Sequence, residues 1–174
     1  LQQTCLDEIK NIWTEKSAVL LRGITGSGKT QIYMELIKEN IRLGKQVLYL
    51  EPEIALTTQL VQRIKKFFGT QLIEYHSGLS QKDRMAVWEA CKSNHPLIVG
   101  ARSSLFLPYQ KLGLIIVDEE HDPSYKQNDP SPRYIARDCA LILAQDHNAK
   151  IILGSATPSL ESYSNAISER FGSV

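Results

Sequence analysis

Residues 23–30 read Gly-Ile-Thr-Gly-Ser-Gly-Lys-Thr and follow directly on the apolar run Ala18–Leu21. Every fixed position of the pattern G-x-x-x-x-G-K-[ST] is met, and its place between a strand and a helix is where its chemistry works. Glycines let backbone N–H groups converge on phosphate oxygens, and the start of a helix adds partial positive charge. Gly23, Thr25, Gly26, Ser27 and Gly28 are therefore candidate nucleotide-binding residues. Lys29 is placed to reach the β- and γ-phosphates, and the Thr30 hydroxyl to ligate Mg²⁺. By itself the loop specifies only a nucleotide-binding α/β protein.

The rest of the chain agrees with that plan. Short runs rich in Val, Ile and Leu at 18–22, 46–50, 72–75, 97–99, 114–117 and 150–153 read as strands covered on both faces. Helices are predicted at 29–43, 54–68, 80–92 and 135–147, with Gly44 ending the first and Ser80 capping the third. Strand-helix alternation with short connections predicts one α/β domain over 1–174, a mostly parallel central sheet with helices on both faces. The formal net charge of +1 excludes DNA binding by bulk electrostatics, so any nucleic-acid contact must be local. Cys5, Cys91 and Cys139 lie far apart and form no metal pair or disulfide framework, which leaves buried or idle thiols. No apolar run approaches the ~18 residues of a membrane span and no signal peptide opens the chain, so a cytoplasmic protein is expected. The chain begins without Met and stops soon after a predicted strand, and is expected to be a piece of something longer.

A second constellation closes the strand at 114–117: Asp118-Glu119-Glu120-His121. A buried strand delivers such carboxylates to the carboxyl edge of the sheet, where ligands bind in open α/β folds. Asp118 is the candidate for holding Mg²⁺, and Glu119 for orienting an attacking water. The segment that follows, 121–134, carries three prolines and is too long for a simple connector. It has few apolar anchors, so mobility is expected.

Asp118–His121 resembles the DExH box of superfamily 2 helicases. Gly154–Pro158 (GSATP) resembles the motif of that superfamily that links hydrolysis to strand separation, through Ser155 and Thr157. Glu51–Thr57 and Val99–Phe106 resemble its two strand-gripping motifs. DEEH beside TGSGKT, with His76–Leu79 (HSGL), Asp122–Gln127 (DPSYKQ) and Arg133–Asp138 (RYIARD), is similar to the PriA family of replication-restart helicases in particular.

The resemblance implies a RecA-like P-loop lobe, the first of two, using ATP and Mg²⁺. It implies an ATP-dependent 3′–5′ DNA helicase that unwinds stalled forks and supports primosome assembly. Single-stranded and forked DNA, primosome proteins and single-strand binding protein are the implied partners. A second lobe supplies an arginine finger in such enzymes, so one lobe alone is expected to turn over little ATP, and the family's zinc-binding cysteines fall outside this stretch.

Residue by residue, the resemblance makes Lys29, Asp118, Glu119 and His121 catalytic, with His121 bridging the nucleotide site and the DNA-facing loop. A glutamine upstream of the phosphate loop should read adenine; Gln2 fits the spacing best, with Gln3 adjacent. Thr57, Arg102, Ser103 and Ser104 are the implied DNA-backbone contacts, Arg102 having an ion-pairing role as its alternative. Tyr125, Lys126, Arg133 and Tyr134 belong to the loop that couples DNA to the ATP site. Pro132 stands where the family carries tryptophan, so base stacking is not implied; Tyr125 and Tyr134 either replace it or pack.

Arg63, Lys65 and Lys66 read as a solvated helix face, and Trp13 and Trp88 as core aromatics. A small-molecule P-loop kinase would need an arginine-bearing lid, for which no segment is evident, and near-neutral charge argues against a pure DNA-binding module. Another superfamily 2 translocase, of the recombination or restriction type, is the remaining alternative.

Overall fold

The computed structural model describes residues 2–24, 26–52 and 59–174. Seven strands form one sheet: β1 (Ala18–Arg22), β2 (Gln46–Leu50), β3 (Leu72–Tyr75), β4 (Leu97–Gly100), β5 (Leu112–Val117), β8 (Lys150–Ser155) and β9 (Gly172–Ser173). Their order is β3-β4-β2-β5-β8-β1-β9, and every pairing is parallel. Two further short strands, β6 (Lys126–Gln127) and β7 (Tyr134–Ile135), pair antiparallel as a separate hairpin.

Successive strand residues point to opposite faces, and here both faces are covered. Val19 and Leu21 of β1, with Val47, Leu114 and Ile152, pack beneath α1 (Gln2–Ile12), α2 (Lys29–Arg42) and α3 (Gln59–Phe68). Leu20, Leu48, Ile115 and Ile151 face the other way, against Cys91 of α4 (Gln81–Lys92) and the alanine stripe of α5, Ala136, Ala140 and Ala144. Small side chains at that helical spacing let α5 (Ala136–Asp146) lie close on the sheet. Fully burying a Val, Leu or Ile contributes about 1.5–3 kcal/mol each, so this two-sided core dominates the fold.

The predicted strands and helices all appear, the start of the 54–68 helix lying outside the described residues. Gly44 adopts a left-handed φ of 68° just beyond α2, as a helix stop should. Ser80 caps α4 by accepting from the Asp83 amide. Four elements were not anticipated: α1, the β6–β7 hairpin, α6 (Leu160–Ile167) and the edge strand β9. Each is short or lacks a wide buried stripe, so periodicity has little to register; α1 buries only Leu6 and Ile9. Among the described residues no helix is long and apolar enough to cross a membrane.

Candidate nucleotide and nucleic-acid site

The strand order places β1, β8 and β5 side by side, so their carboxyl ends bring Gly23, Ser155 and Asp118 to one edge of the sheet. After β1 the chain turns through Gly26 (φ 82°) and Gly28 (φ 95°), left-handed conformations that suit glycine. Gly28 occupies the cap position of α2 with no side-chain cap, which leaves the first amides of that helix for a ligand. Lys29 is buried; its Nζ donates to the Gly23 carbonyl at 2.6 Å and lies 3.7 Å from Glu119 Oε1. A cleft of about 550 Å³ opens here, lined by Gln2, Gly26, Lys29, Thr30, Asp118 and Glu119 among others. Thr25 lies outside the described residues. Gln2 lies against the phosphate loop: a Cβ at Gly28 would meet its side-chain amide. Gln3 instead donates to Asp7 and is exposed. The structure thus separates the two glutamines that spacing left adjacent.

Asp118 is held by partners that sequence reasoning missed. The hydroxyls of Tyr33 on α2 and Tyr49 on β2 donate to Oδ1 at 3.1 Å and Oδ2 at 2.9 Å, and the Glu119 amide donates to Oδ1. The two rings meet edge to face with centroids 5.8 Å apart. Burial raises the Asp118 carboxyl above its ordinary range, and the bond from Tyr49 opposes that rise. Burial, then the Asp118 charge, pushes both tyrosines well above theirs, so they remain donors. A carboxylate offers about four lone-pair sites; three are taken, which leaves capacity for a metal-bound water. Gly154 makes room for this arrangement, since a Cβ there would fall on the Tyr33 hydroxyl. The glycine-lined loop, Lys29, Thr30 and a carboxylate with spare capacity fit a magnesium nucleotide.

Glu119 adopts a left-handed φ of 47°, a strained backbone for a non-glycine residue of the kind found at functional sites. Its side chain is partly exposed to the cleft. Next to these acids, Glu51 is only 1% exposed, and its Oε2 has no hydrogen-bond partner among the described residues. Burial, followed by the charges of Asp118 and Glu119, raises its carboxyl from 4.5 to about 8. No sequence motif singles it out as a member of the site; its position one residue past a buried strand is the signal.

The other half of the acidic box faces away from the cleft. Glu120 is buried and accepts from the Ser159 amide (2.7 Å), the Ser159 hydroxyl (2.9 Å) and the Ser162 hydroxyl (2.9 Å). Arg137, also buried, donates to the Ser159 hydroxyl at 2.6 Å and lies 3.5 Å from Glu120. His121 Nδ1 and the buried Ser155 hydroxyl are hydrogen-bonded at 2.7 Å, the Thr157 amide donates to the same hydroxyl, and Glu119 Oε2 is 3.6 Å from the ring. His121 therefore joins the two motifs by one hydrogen bond; Thr157 itself is exposed.

The residues implied to contact DNA fall into two groups. Ser103, Lys126, Arg133, Tyr134 and Thr157 keep some exposure. Ser104 is fully buried and its hydroxyl donates to the Ala101 carbonyl, so a direct DNA contact is corrected to a structural role. Tyr125 is corrected likewise: it is 2% exposed, with its hydroxyl 2.9 Å from the Leu50 carbonyl and 2.7 Å from that of Asp118. Of the two readings for this ring, packing is the one realised. Arg102 donates to the Ser124 carbonyl at 2.7 Å and the Lys126 carbonyl at 3.2 Å, which ties the neighbouring loop rather than pairing with an acid. That loop, expected to lack anchors, is pinned by Tyr125 and Arg102, and Tyr134 meets Phe106 edge to face at 5.2 Å. Thr57 lies outside the described residues. Trp13 packs on the core, but Trp88 is 42% exposed and is not a core aromatic.

Comparison with known proteins agrees with this geometry. The replication restart protein PriA of Haemophilus influenzae is 51% identical over 156 residues, covering 89% of this chain and 20% of that protein. PriA of Helicobacter pylori is 51% identical over 164 residues, 94% of this chain and 26% of the relative. PriA of Bacillus subtilis is 47% identical over 153 residues, 87% and 19%. The chain thus spans about a fifth of the length of the first of these curated relatives. Among solved structures, RecG bound to a three-way DNA junction is similar with a TM-score of 0.70 at 18% identity, covering 99% of this chain and 22% of that one. Escherichia coli DEAH/RHA helicase HrpB is similar with a TM-score of 0.67 at 18% identity, covering 99% and 22%. The fold is that of a RecA-like helicase lobe. The model of the DEAD/DEAH box helicases matches residues 1–166, and the chain belongs to that family.

Proposed function

We propose that the chain is the first, nucleotide-binding lobe of an ATP-dependent 3′–5′ DNA helicase of replication restart. The supporting observation is the convergence of the 23–30 loop, Asp118 and Glu119 on one cleft, with His121 leading from that cleft to Ser155. About 50% identity to PriA proteins supports the replication-restart assignment.

In this reading the amides of the loop and of the first turn of α2 take the nucleotide phosphates. Lys29 exchanges the Gly23 carbonyl for a phosphate oxygen. Mg²⁺, held by Thr30 and through water by Asp118, neutralises charge that develops on the phosphates. Tyr33 and Tyr49 keep the Asp118 carboxylate oriented toward it. Glu119 orients the attacking water and accepts its proton. Gln2 reads the adenine. DNA lies across Arg102, Ser103 and the exposed part of the 122–134 loop, and its contacts position rather than specify sequence. The complete motor acts in the cytoplasm on forked and single-stranded DNA, alongside primosome proteins and single-strand binding protein.

The test is nucleotide-dependent stabilisation of this chain. Mg-ATP at ~100 times Kd should stabilise it by roughly 2.7 kcal/mol. Lys29→Ala should abolish most of the thermal shift, and an unchanged shift would place the nucleotide elsewhere.

A further inference from the structure

Arg63, Lys65 and Lys66 are close in sequence on α3, yet the fold sends them to different places. Lys65 pairs with Glu74 at 3.0 Å and Lys66 is exposed to solvent. Arg63 lines the nucleotide cleft with Lys29, Thr30, Asp118 and Glu119. It forms no ion pair with any described residue, although two carboxylates share its cavity.

The placement follows from topology. α2 and α3 each follow a strand of the same parallel sheet and pack on the same face, so both begin at the carboxyl edge where the cleft lies. Further along, Lys38 of α2 stands over the ring of Phe67 of α3 at 5.1 Å, which registers the helices against each other. Arg63 lies four residues, about one turn, before Phe67, on the side of that contact nearer the cleft.

The cleft also has a charge deficit that Arg63 corrects. Its ionisable lining among the described residues is Lys29 and Arg63 against Asp118 and Glu119. Lys29 already lies 3.7 Å from Glu119, so without Arg63 the lining would carry a net negative charge and repel a polyphosphate. An arginine adds more than charge, because its planar fork can engage two phosphate oxygens at once.

We propose that Arg63 is a phosphate-binding residue of this cleft, whose guanidinium takes the terminal phosphates of the bound nucleoside triphosphate from the side opposite the glycine loop. The proposal rests on the nucleotide-site reading above and adds to it a cation from outside the motifs that define the site. It also gives α3 a direct stake in what the cleft holds.

The experiment measures the affinities of this chain for Mg-ATP, AMP and adenosine by calorimetry, in wild type and in Arg63→Ala, Arg63→Lys and Lys66→Ala. Arg63→Ala should weaken Mg-ATP about ten-fold, the scale of one charged hydrogen-bonding group. AMP and adenosine should change less than about two-fold, Arg63→Lys should restore part of the loss, and Lys66→Ala should behave as wild type. Equal Mg-ATP affinity in Arg63→Ala and wild type overturns the proposal and leaves the nucleotide site intact. So does a loss as large for adenosine as for ATP, which marks a structural role. Failure of the wild-type chain to bind Mg-ATP overturns the nucleotide reading itself.

Discussion

Leu50 and Val117 pair in register on neighbouring parallel strands, so the next residue of each, Glu51 and Asp118, emerges at the same edge. Two carboxyls are thereby buried close together, and only Asp118 receives donors from the tyrosines. Glu51 bears the cost. Its folded value of about 8 lies above its ordinary 4.5, so the folded protein keeps a proton that the unfolded chain releases in that window. Stability from this group is fully present below about pH 4.5 and is lost as pH rises through about 8. Glu51→Gln removes that loss. With about 1.4 kcal/mol per pKa unit, the variant should gain on the order of 2–4 kcal/mol at pH 8 and little at pH 4.5. Urea melts at the two pH values in metal-free buffer check this; parallel pH profiles for variant and wild type would sink it.

At the level of elements, α6 is attached by its polar first turn more than by an apolar face. Leu160 and Ile167 are exposed at 83% and 67%, whereas Ser159 and Ser162 reach the buried Glu120. The third acid of the DEEH box is thus the anchor of the helix that follows the GSATP segment. Glu120→Ala would leave Arg137 buried without this partner, at a cost of roughly 3–5 kcal/mol. Hydrogen exchange should show α6 opening well before the sheet, while Glu120→Gln, which keeps the acceptor for Ser159 or Ser162, should lose less. Uniform loss of protection across the molecule would contradict the anchoring role. None of this was legible in the sequence, because Glu120, Arg137, Ser159 and Ser162 meet only through the fold and α6 lacks a buried stripe.

For the whole molecule, the question is how DNA is felt in the cleft. Tyr125 touches the backbone carbonyls of both Leu50 and Asp118, and Arg102 holds the carbonyls of Ser124 and Lys126 on either side of it. A strand that draws Arg102 away loosens a segment attached directly to the Asp118 backbone, so DNA and nucleotide bias one element. In a full helicase carrying this lobe, Arg102→Ala and Tyr125→Phe should leave ATP affinity within about two-fold, since a single hydrogen bond remote from the ligand contributes about 1 kcal/mol or less to binding. Stimulation of the ATPase by single-stranded DNA should fall. The rates must be compared with and without DNA at one salt concentration, because phosphate contacts are salt-sensitive; equal stimulation in variants and wild type would leave the loop a connector.

The phosphate loop, the parallel sheet and the acidic box were readable from the chain alone because each is local: glycine spacing, an apolar run, carboxylates at a strand end. Gln2 was readable as well, though its distinction from Gln3 needed the direction of a helix face. What only the tertiary structure decided are the contacts between residues distant in sequence. The tyrosines on Asp118, the burial of Glu51, the tether from Arg102 to the loop and the arrival of Arg63 in the cleft all depend on strand order and helix register. A side chain's type sets what it can do, but burial and neighbours set what it does. Those follow from packing the two faces of a sheet whose strand order, β3-β4-β2-β5-β8-β1-β9, is not the order of the chain.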